Sequence, residues 1–280
     1  MVRAALLQMT TGIDPQANAA AIVAAVAQAK AGGAAMLFTP EMSGLLDRKR
    51  ERGRESIRSE GEDVVLSAVR EAARRAGLWV HIGSLGIKSE DGARADGKWA
   101  NRAFVIDDKG GIRARYDKMH MFDVDLASGE SWRESNAYTA GDAVVTVDTP
   151  LGRLGLAICY DVRFPALFEA LGRARCDVIA IPAAFTVPTG KAHWHLLQRA
   201  RAVEASAFVL SAAQVGIHED GRETYGHSLA IDPWGEVLLD MGGAEDGGTA
   251  GIAFVDLDPA RIAEVRKQLP SLANRREIAT

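Results

Sequence analysis

The chain contains two cysteines in 280 residues, Cys159 and Cys176. They are too few and too far apart for a disulfide framework or a CxxC centre, and such sparing use of cysteine fits a reducing cytoplasm. Long apolar runs are also missing. The most apolar helical stretch, residues 18–31, is too short to cross a bilayer and contains Gln28 and Lys30. The N-terminal MVRAALLQMTTG is apolar for only a few residues and has no signal-cleavage pattern, so neither secretion nor membrane insertion is expected. Basic residues are not in excess, with a net charge of −4, which argues against nucleic acid as a partner. There is no Walker A sequence, no G-x-G-x-x-G, no repeat and no Pro/Gly/Ser-rich linker. Residues 1–280 therefore read as one domain, large enough to bury a core without staples, with a polar arm (SLANRREIAT) from about residue 270.

Short apolar runs alternate with helical patterns. Strands are expected at 2–9, 35–39, 79–85, 103–107, 112–116, 144–148, 153–158, 177–181, 208–214, 228–232 and 252–257. Asp14-Pro15 and Asp258-Pro259 each place an N-cap before a proline at the first helical position. Further helices are expected within 48–76, broken near Gly61, and over 164–172 and 191–205. Asp108-Lys109-Gly110-Gly111 is a hairpin turn. Residues 119–142 form a long polar and aromatic loop, a feature that usually carries function. Consecutive strands often pair directly, which favours an α/β fold of two mixed sheets with helices outside.

Three residues have a setting suited to chemistry. Cys159 in RLGLAICYDVRFP stands where an apolar strand runs into a helix-opening sequence. Ligands bind at that edge of α/β sheets, and a helix N-terminus makes a thiol more acidic. The competing reading is an ordinary buried cysteine, which we keep for Cys176 before DVIAIP. Glu41 in LFTPEMSG directly follows a buried strand; it is a general base or acid if burial raises its pKa, and otherwise a solvated loop carboxylate. Lys118 in YDKMHMFDVD ends a strand; it is either a fixed charge for an oxyanion or a solvated lysine. The six histidines have no triad context. His193 and His195, two apart on a helix, point away from each other and are not expected to share a metal. The GHS around His227 is not a serine elbow, because Ala230 takes the place of the last glycine of G-x-S-x-G.

Taken together, PEM with Glu41, DKMHMFDVD with Lys118 and ICYDVRFP with Cys159 resemble the motifs of the nitrilase (carbon–nitrogen hydrolase) superfamily, in the same order and spacing. The likeness continues through IPAAFTVPTGKAHWHLLQRARAVE, GRETYGHSLAIDPWGE and DLDPARIAEVRKQLP. It is nearest to the Nit branch, and the AAQVGIHE and TYGHSLAIDPWG stretches look most like its deaminated-glutathione amidases. The resemblance implies a four-layer αββα sandwich, a homodimer or larger even homo-oligomer, and neither metal nor organic cofactor. It also implies a second glutamate before a PGD-like turn. Glu134, ahead of Ala140-Gly141-Asp142, fits that place, with Ala140 where the family has proline and Glu130 as a rival.

The implied chemistry is amide cleavage through a Cys159 thioester. Glu41 moves the protons, Lys118 and the Tyr160 backbone N–H hold the oxyanion, and Glu134 orients Lys118. True nitrilases of the superfamily tend to carry Trp-Glu after the nucleophile; Tyr160-Asp161 here favours an amide over a nitrile. Arg163 is a candidate for a substrate carboxylate or for an internal ion pair with Asp161 or another acid, and Phe185 and Thr186 are candidates for the pocket wall. The expected substrate is deaminated glutathione, with 2-oxoglutaramate or an N-carbamoyl amino acid as alternatives. A non-catalytic binding protein on the same fold is the alternative of another class.

Overall fold

The computed structural model describes residues 1–88, 97–125, 129 and 131–276. Two six-strand ladders carry the fold. The first runs in the order Gly251–Leu257, Val2–Gln8, Met36–Phe38, Trp79–Lys88, Trp99–Ile106, Ile112–Asp117, with the short strand Arg58–Ser59 added beside Trp79–Lys88. The second runs Val237–Asp240, Leu229–Ile231, Phe208–Ser211, Val178–Ala180, Gly152–Leu156, Thr146–Thr149. Each sheet is parallel at its centre and antiparallel toward its edges. Central strands buried on both faces need continuous apolar sequence, and MLF and VIA supply it.

Alternation along the first strand shows how the layers stack. Ala4 and Leu6 belong to the core between the sheets, shared with Leu154 and Leu156 of the second sheet. Ala5 and Leu7 face the opposite way, onto the helices Pro15–Ala31 and Val64–Ala76 through Ile22, Val26, Leu66 and Val69. The helices Pro165–Arg173 and Val187–Ala205 bury Phe168, Leu171 and Trp194 against the second sheet. The result is the expected layered αββα arrangement.

Capping follows the sequence closely. Asp14 accepts from Gln16 N, and Asp63 accepts from Leu66 N at 2.8 Å, each cap contributing about 1 kcal/mol. The helix expected at 191–205 starts earlier, at Val187, because Pro188 sits in its first turn, where a missing N–H costs nothing. The expected strand at 208–214 stops at Ser211; Ala213 and Gln214 instead bridge to Ala183 and Met9. Within the expected loop 119–142 lie a small hairpin, Asp123–Asp125 with Ser131–Arg133, and a 3-10 turn, Glu134–Asn136. Of the expected C-terminal arm, residues 277–280 lie outside the described residues, while Arg275 donates to the carbonyls of Glu169 and Glu204. Among the described residues no helix is long and apolar enough to cross a membrane.

His81, in the strand beside Met36–Phe38, is fully buried, and among the described residues neither ring nitrogen has a hydrogen-bond partner. Burial pushes its pKa down to about 3. The folded state thus holds a neutral imidazole that the unfolded chain protonates near pH 6.5. Its contribution to stability is intact above that pH and shrinks as pH falls toward the folded value, by about 1.4 kcal/mol per pH unit. We expect the urea midpoint to drop between pH 7 and 4.5, and His81→Phe to flatten that decline. An unchanged slope in the variant would assign the acid limb to other groups.

Candidate active site

Several strand ends meet at one edge of the double sheet. Glu41 follows Met36–Phe38 by three residues, Lys118 directly follows Ile112–Asp117, and Cys159 follows Gly152–Leu156 by three. Parallel neighbours discharge their chains at the same edge, so residues distant in sequence converge there. The approach to Glu41 is tight. A Cβ on Gly83 would lie 2.1 Å from the Thr39 carbonyl oxygen and 2.4 Å from that of Pro40, so only glycine lets the strands pack this closely.

Cys159 opens a 3-10 turn, Cys159–Arg163, with φ of 49°, a left-handed conformation that costs a non-glycine residue about 1–3 kcal/mol. The turn is pinned from below. Asp161, fully buried, accepts from Ile158 N at 2.9 Å and from the Tyr116 hydroxyl at 2.7 Å. Its other oxygen meets the backbone N–H and Nδ1 of His120, whose ring stacks on Phe164. Cys159 N donates to Pro182 O at 2.8 Å. These bonds aim the thiol into the space between the sheets and leave the Tyr160 N–H in the first turn, where helical N–H groups lack an intrahelical acceptor.

The charged groups form one buried network. Lys118 Nζ donates to Glu41 Oε1 at 2.9 Å and to Glu134 Oε2 at 2.9 Å, and its side chain is 2% exposed. Asn101 Nδ2 bridges both glutamates, at 3.0 Å to each. Ala184 N donates to Glu41 Oε2, and Phe122 N to Glu134 Oε2. Glu134 thus reaches Lys118 despite alanine at position 140. Gly141 does the local work of that turn, since its N–H donates to Lys118 O and a Cβ there would lie 2.2 Å from Asp117 O. Glu130 lies outside the described residues.

The protonation pattern departs from the expectation of an acidic thiol. Burial, joined by the charge of Glu41 and a hydrogen bond to it, pushes the Cys159 thiol well above its ordinary range, and Lys118 offsets only part of this. For Glu41, burial acts to raise the pKa, but the charge and hydrogen bond of Lys118, with bonds from Cys159 and Asn101, hold it below the usual range. Lys118 is opposed by burial and still raised, because two carboxylates face it. The resting site at neutral pH is therefore a neutral thiol against a carboxylate, with a fixed ammonium alongside. Cys176, buried in the second sheet's core and without this network, is pushed up to about 12 by burial and by Asp177.

Glu41, Lys118, Glu134 and Cys159 border a cavity of about 530 Å³. Tyr160 and Phe185 line it; Arg163 and Thr186 do not. Arg163 stands over the Phe185 and Tyr160 rings and contacts His193 Nδ1 at 3.2 Å, and it forms no ion pair with Asp161 or another acid among the described residues. The Thr186 hydroxyl pairs with Thr189. Asn101, Ala184 and Gln214, whose Nε2 donates to Glu41 O, had no legible motif. Their partners come from elsewhere in the chain, and no local pattern marks them. His195, His227 and Asp240 are the group of described side chains whose donor atoms could converge on a metal ion, but they already bond one another.

The family model for carbon–nitrogen hydrolases matches residues 3–267. A deaminated glutathione amidase of Yersinia enterocolitica is 36% identical over 99% of this chain and 93% of its own length. The NitFhit protein of Caenorhabditis elegans superposes with a TM-score of 0.87 at 33% identity, covering 98% of this chain and 65% of that one. The NitN amidase of Nesterenkonia sp. AN1 gives 0.79 at 26%, covering 99% and 97%.

Proposed function

The chain belongs to the carbon–nitrogen hydrolase family, and on that premise we propose that it hydrolyses the amide of deaminated glutathione to 2-oxoglutarate and cysteinylglycine through a thioester on Cys159. The observation that carries the chemistry is the Lys118–Glu41 contact at 2.9 Å with the Cys159 thiol lining the same cavity as both. The cavity volume suits a tripeptide-sized ligand. The substrate assignment leans on the named activity of the Yersinia relative.

Each step follows from the resting protonation state. The Glu41 carboxylate takes the thiol proton as Sγ attacks the amide carbon. The carbonyl oxygen gains negative charge, and the Lys118 ammonium and the Tyr160 N–H stabilise it. The C–N bond breaks, Glu41 hands its proton to the departing amine, and a thioester remains on Cys159. Glu41 then deprotonates a water, which attacks the thioester; the acid leaves and the proton returns to the thiol. Neither electrons nor a further reactant are needed.

Glu134 is a positioning residue here, acting through Lys118. Glu134→Gln keeps a hydrogen-bonding side chain of the same size but removes one buried charge. It should fold normally and lower kcat by about one to two orders of magnitude, with a shifted pH profile, because the charge network then sets the Glu41 and thiol titrations differently. An unchanged kcat and profile would remove Glu134 from the mechanism.

An even homo-oligomer also belongs to this reading. Leu196 and Val203 on the helix Val187–Ala205 are exposed, as is Trp234, and Val203 lies against Gly235 of the same turn as Trp234, apolar surface suited to a second copy. Light scattering of the purified protein checks it. A reducing compartment suits the free thiol.

The deciding assay is release of 2-oxoglutarate from deaminated glutathione and from 2-oxoglutaramate, with Cys159→Ala as control. Fast turnover of the first and a dead variant support the proposal. Faster turnover of the second would make the protein an ω-amidase. Turnover of neither would move the search to N-carbamoyl amino acids. Equal, slow alkylation of Cys159 and Cys176 would instead favour a binding protein.

A further inference from the structure

We propose that Arg222, with Arg48 and Trp132, forms a carboxylate-binding subsite in the wall of the Cys159 cavity, so that the enzyme selects amides whose non-reacting end carries a carboxylate. The inference rests on the amide-hydrolase reading above and narrows its substrate class.

Three observations lead to it. Arg222 lines the cavity, yet its guanidinium makes no hydrogen bond among the described residues. Its one ionic contact is a loose 3.6 Å approach to Asp220, and its side chain is 17% exposed. Asp220 is otherwise engaged, accepting from the backbone N–H groups of Arg48 and of Arg222 itself. A guanidinium carries five N–H donors, and leaving a nearly buried charge without acceptors is costly, so such a group calls for a partner not yet in place.

Trp132 is the second observation. Arg222 Cζ lies 4.6 Å from the indole centroid and Arg48 Cζ 4.8 Å from it. Two guanidinium groups on one indole give that side of the cavity a joint positive field. Both residues line the same cavity as Cys159. The third observation is that the indole Nε1 is also sealed from solvent, with no acceptor among the described residues. Two sealed donors without an acceptor among the described residues, Arg222 Nε and Trp132 Nε1, therefore stand together in the cavity wall.

A carboxylate fits this set better than a neutral group. Its two oxygens accept a bidentate pair from a guanidinium; of the other cations bordering the cavity, Arg50 stands over the Trp99 ring and two are paired with carboxylates. Arg133 pairs with Asp125, and Lys118 with the two glutamates. The position also answers why Arg163 is not needed in the cavity wall. Deaminated glutathione carries carboxylates at both ends, as the subsite requires of its ligand class.

The test uses the reactive thiol as its reporter. Glutarate, a dicarboxylate without an amide, should slow iodoacetamide alkylation of Cys159, whereas the neutral 1,5-pentanediol should not. In Arg222→Gln the glutarate concentration needed for half protection should rise at least about tenfold, the loss of a charge-assisted pair. Arg222→Lys should fall between the two. Trp132→Phe, which keeps the ring and removes the donor, should show a smaller rise and covers the case in which the arginine variants fold poorly. Equal protection in wild type, Arg222→Gln and Trp132→Phe would overturn the subsite, as would equal protection by the diol. If wild type cleaves no amide but glutarate protection still depends on Arg222, the hydrolase reading fails and the anion subsite stands.

Discussion

Glu41→Gln should lower turnover by about a thousandfold and at the same time make the Cys159 thiol easier to ionise. The two effects point in opposite directions, which is what makes the variant informative. Burial is the largest influence raising the thiol, and glutamine leaves burial in place. The charge of Glu41 and its hydrogen bond add to that rise, and both go with the substitution. Lys118 remains, now with one carboxylate partner instead of two, and favours the thiolate more strongly. Thiolate absorbance near 240 nm should therefore appear at lower pH in the variant than in wild type. Turnover still collapses, because glutamine can neither give a proton to the leaving amine nor take one from water. A variant in which the thiol titrates as before would mean that Glu41 does not set its charge. A variant with near-normal turnover would remove Glu41 as the proton carrier.

Lys118→Met is expected to damage both catalysis and folding. The ammonium is 2% exposed between Glu41 and Glu134, 2.9 Å from an oxygen of each. Removing it takes away one oxyanion donor, about 10²–10³ in kcat. It also leaves two buried carboxylates without their cation, and breaking a buried pair in this way costs about 3–5 kcal/mol. The two consequences can be separated. Adding Glu134→Gln to Lys118→Met relieves the excess negative charge, so the double variant should regain part of the lost urea stability while staying inactive. The pairwise cycle measures that coupling. If the double variant were no more stable than Lys118→Met, the network would not be the source of the instability. Recovered turnover would take the oxyanion role away from Lys118.

Much of the fold could be read directly from the chain. Capping at Asp14 and Asp258, each followed by proline, marks two helix starts within a residue. Continuous apolar segments such as MLF and VIA identify central strands, since only a strand covered on both faces can be apolar throughout. Glu41, Lys118 and Cys159 were visible as polar residues at strand ends. The hairpin inside residues 119–142 was not, because DVD and SWR are polar and short and carry no periodic signal. The early start of the helix at Val187 was masked by a Pro-Thr-Gly sequence that resembles a turn.

The sequence by itself determined which chemistry is possible: an order of three motif-borne residues, a thiol, a carboxylate and an amine, each set at a strand end by local hydrophobic pattern. Their protonation is another matter. A thiol expected to be acidic at a helix start is instead held neutral, because burial and a carboxylate brought in from another strand outweigh the charge of Lys118. Asn101 joining two glutamates, Asp161 pinning the cysteine turn, and Arg222 set over Trp132 likewise exist only once strands from separate parts of the chain lie side by side. Local sequence sets backbone preferences over a few residues. Electrostatics depends on distances between side chains and on their removal from water, and those are quantities of the packed molecule.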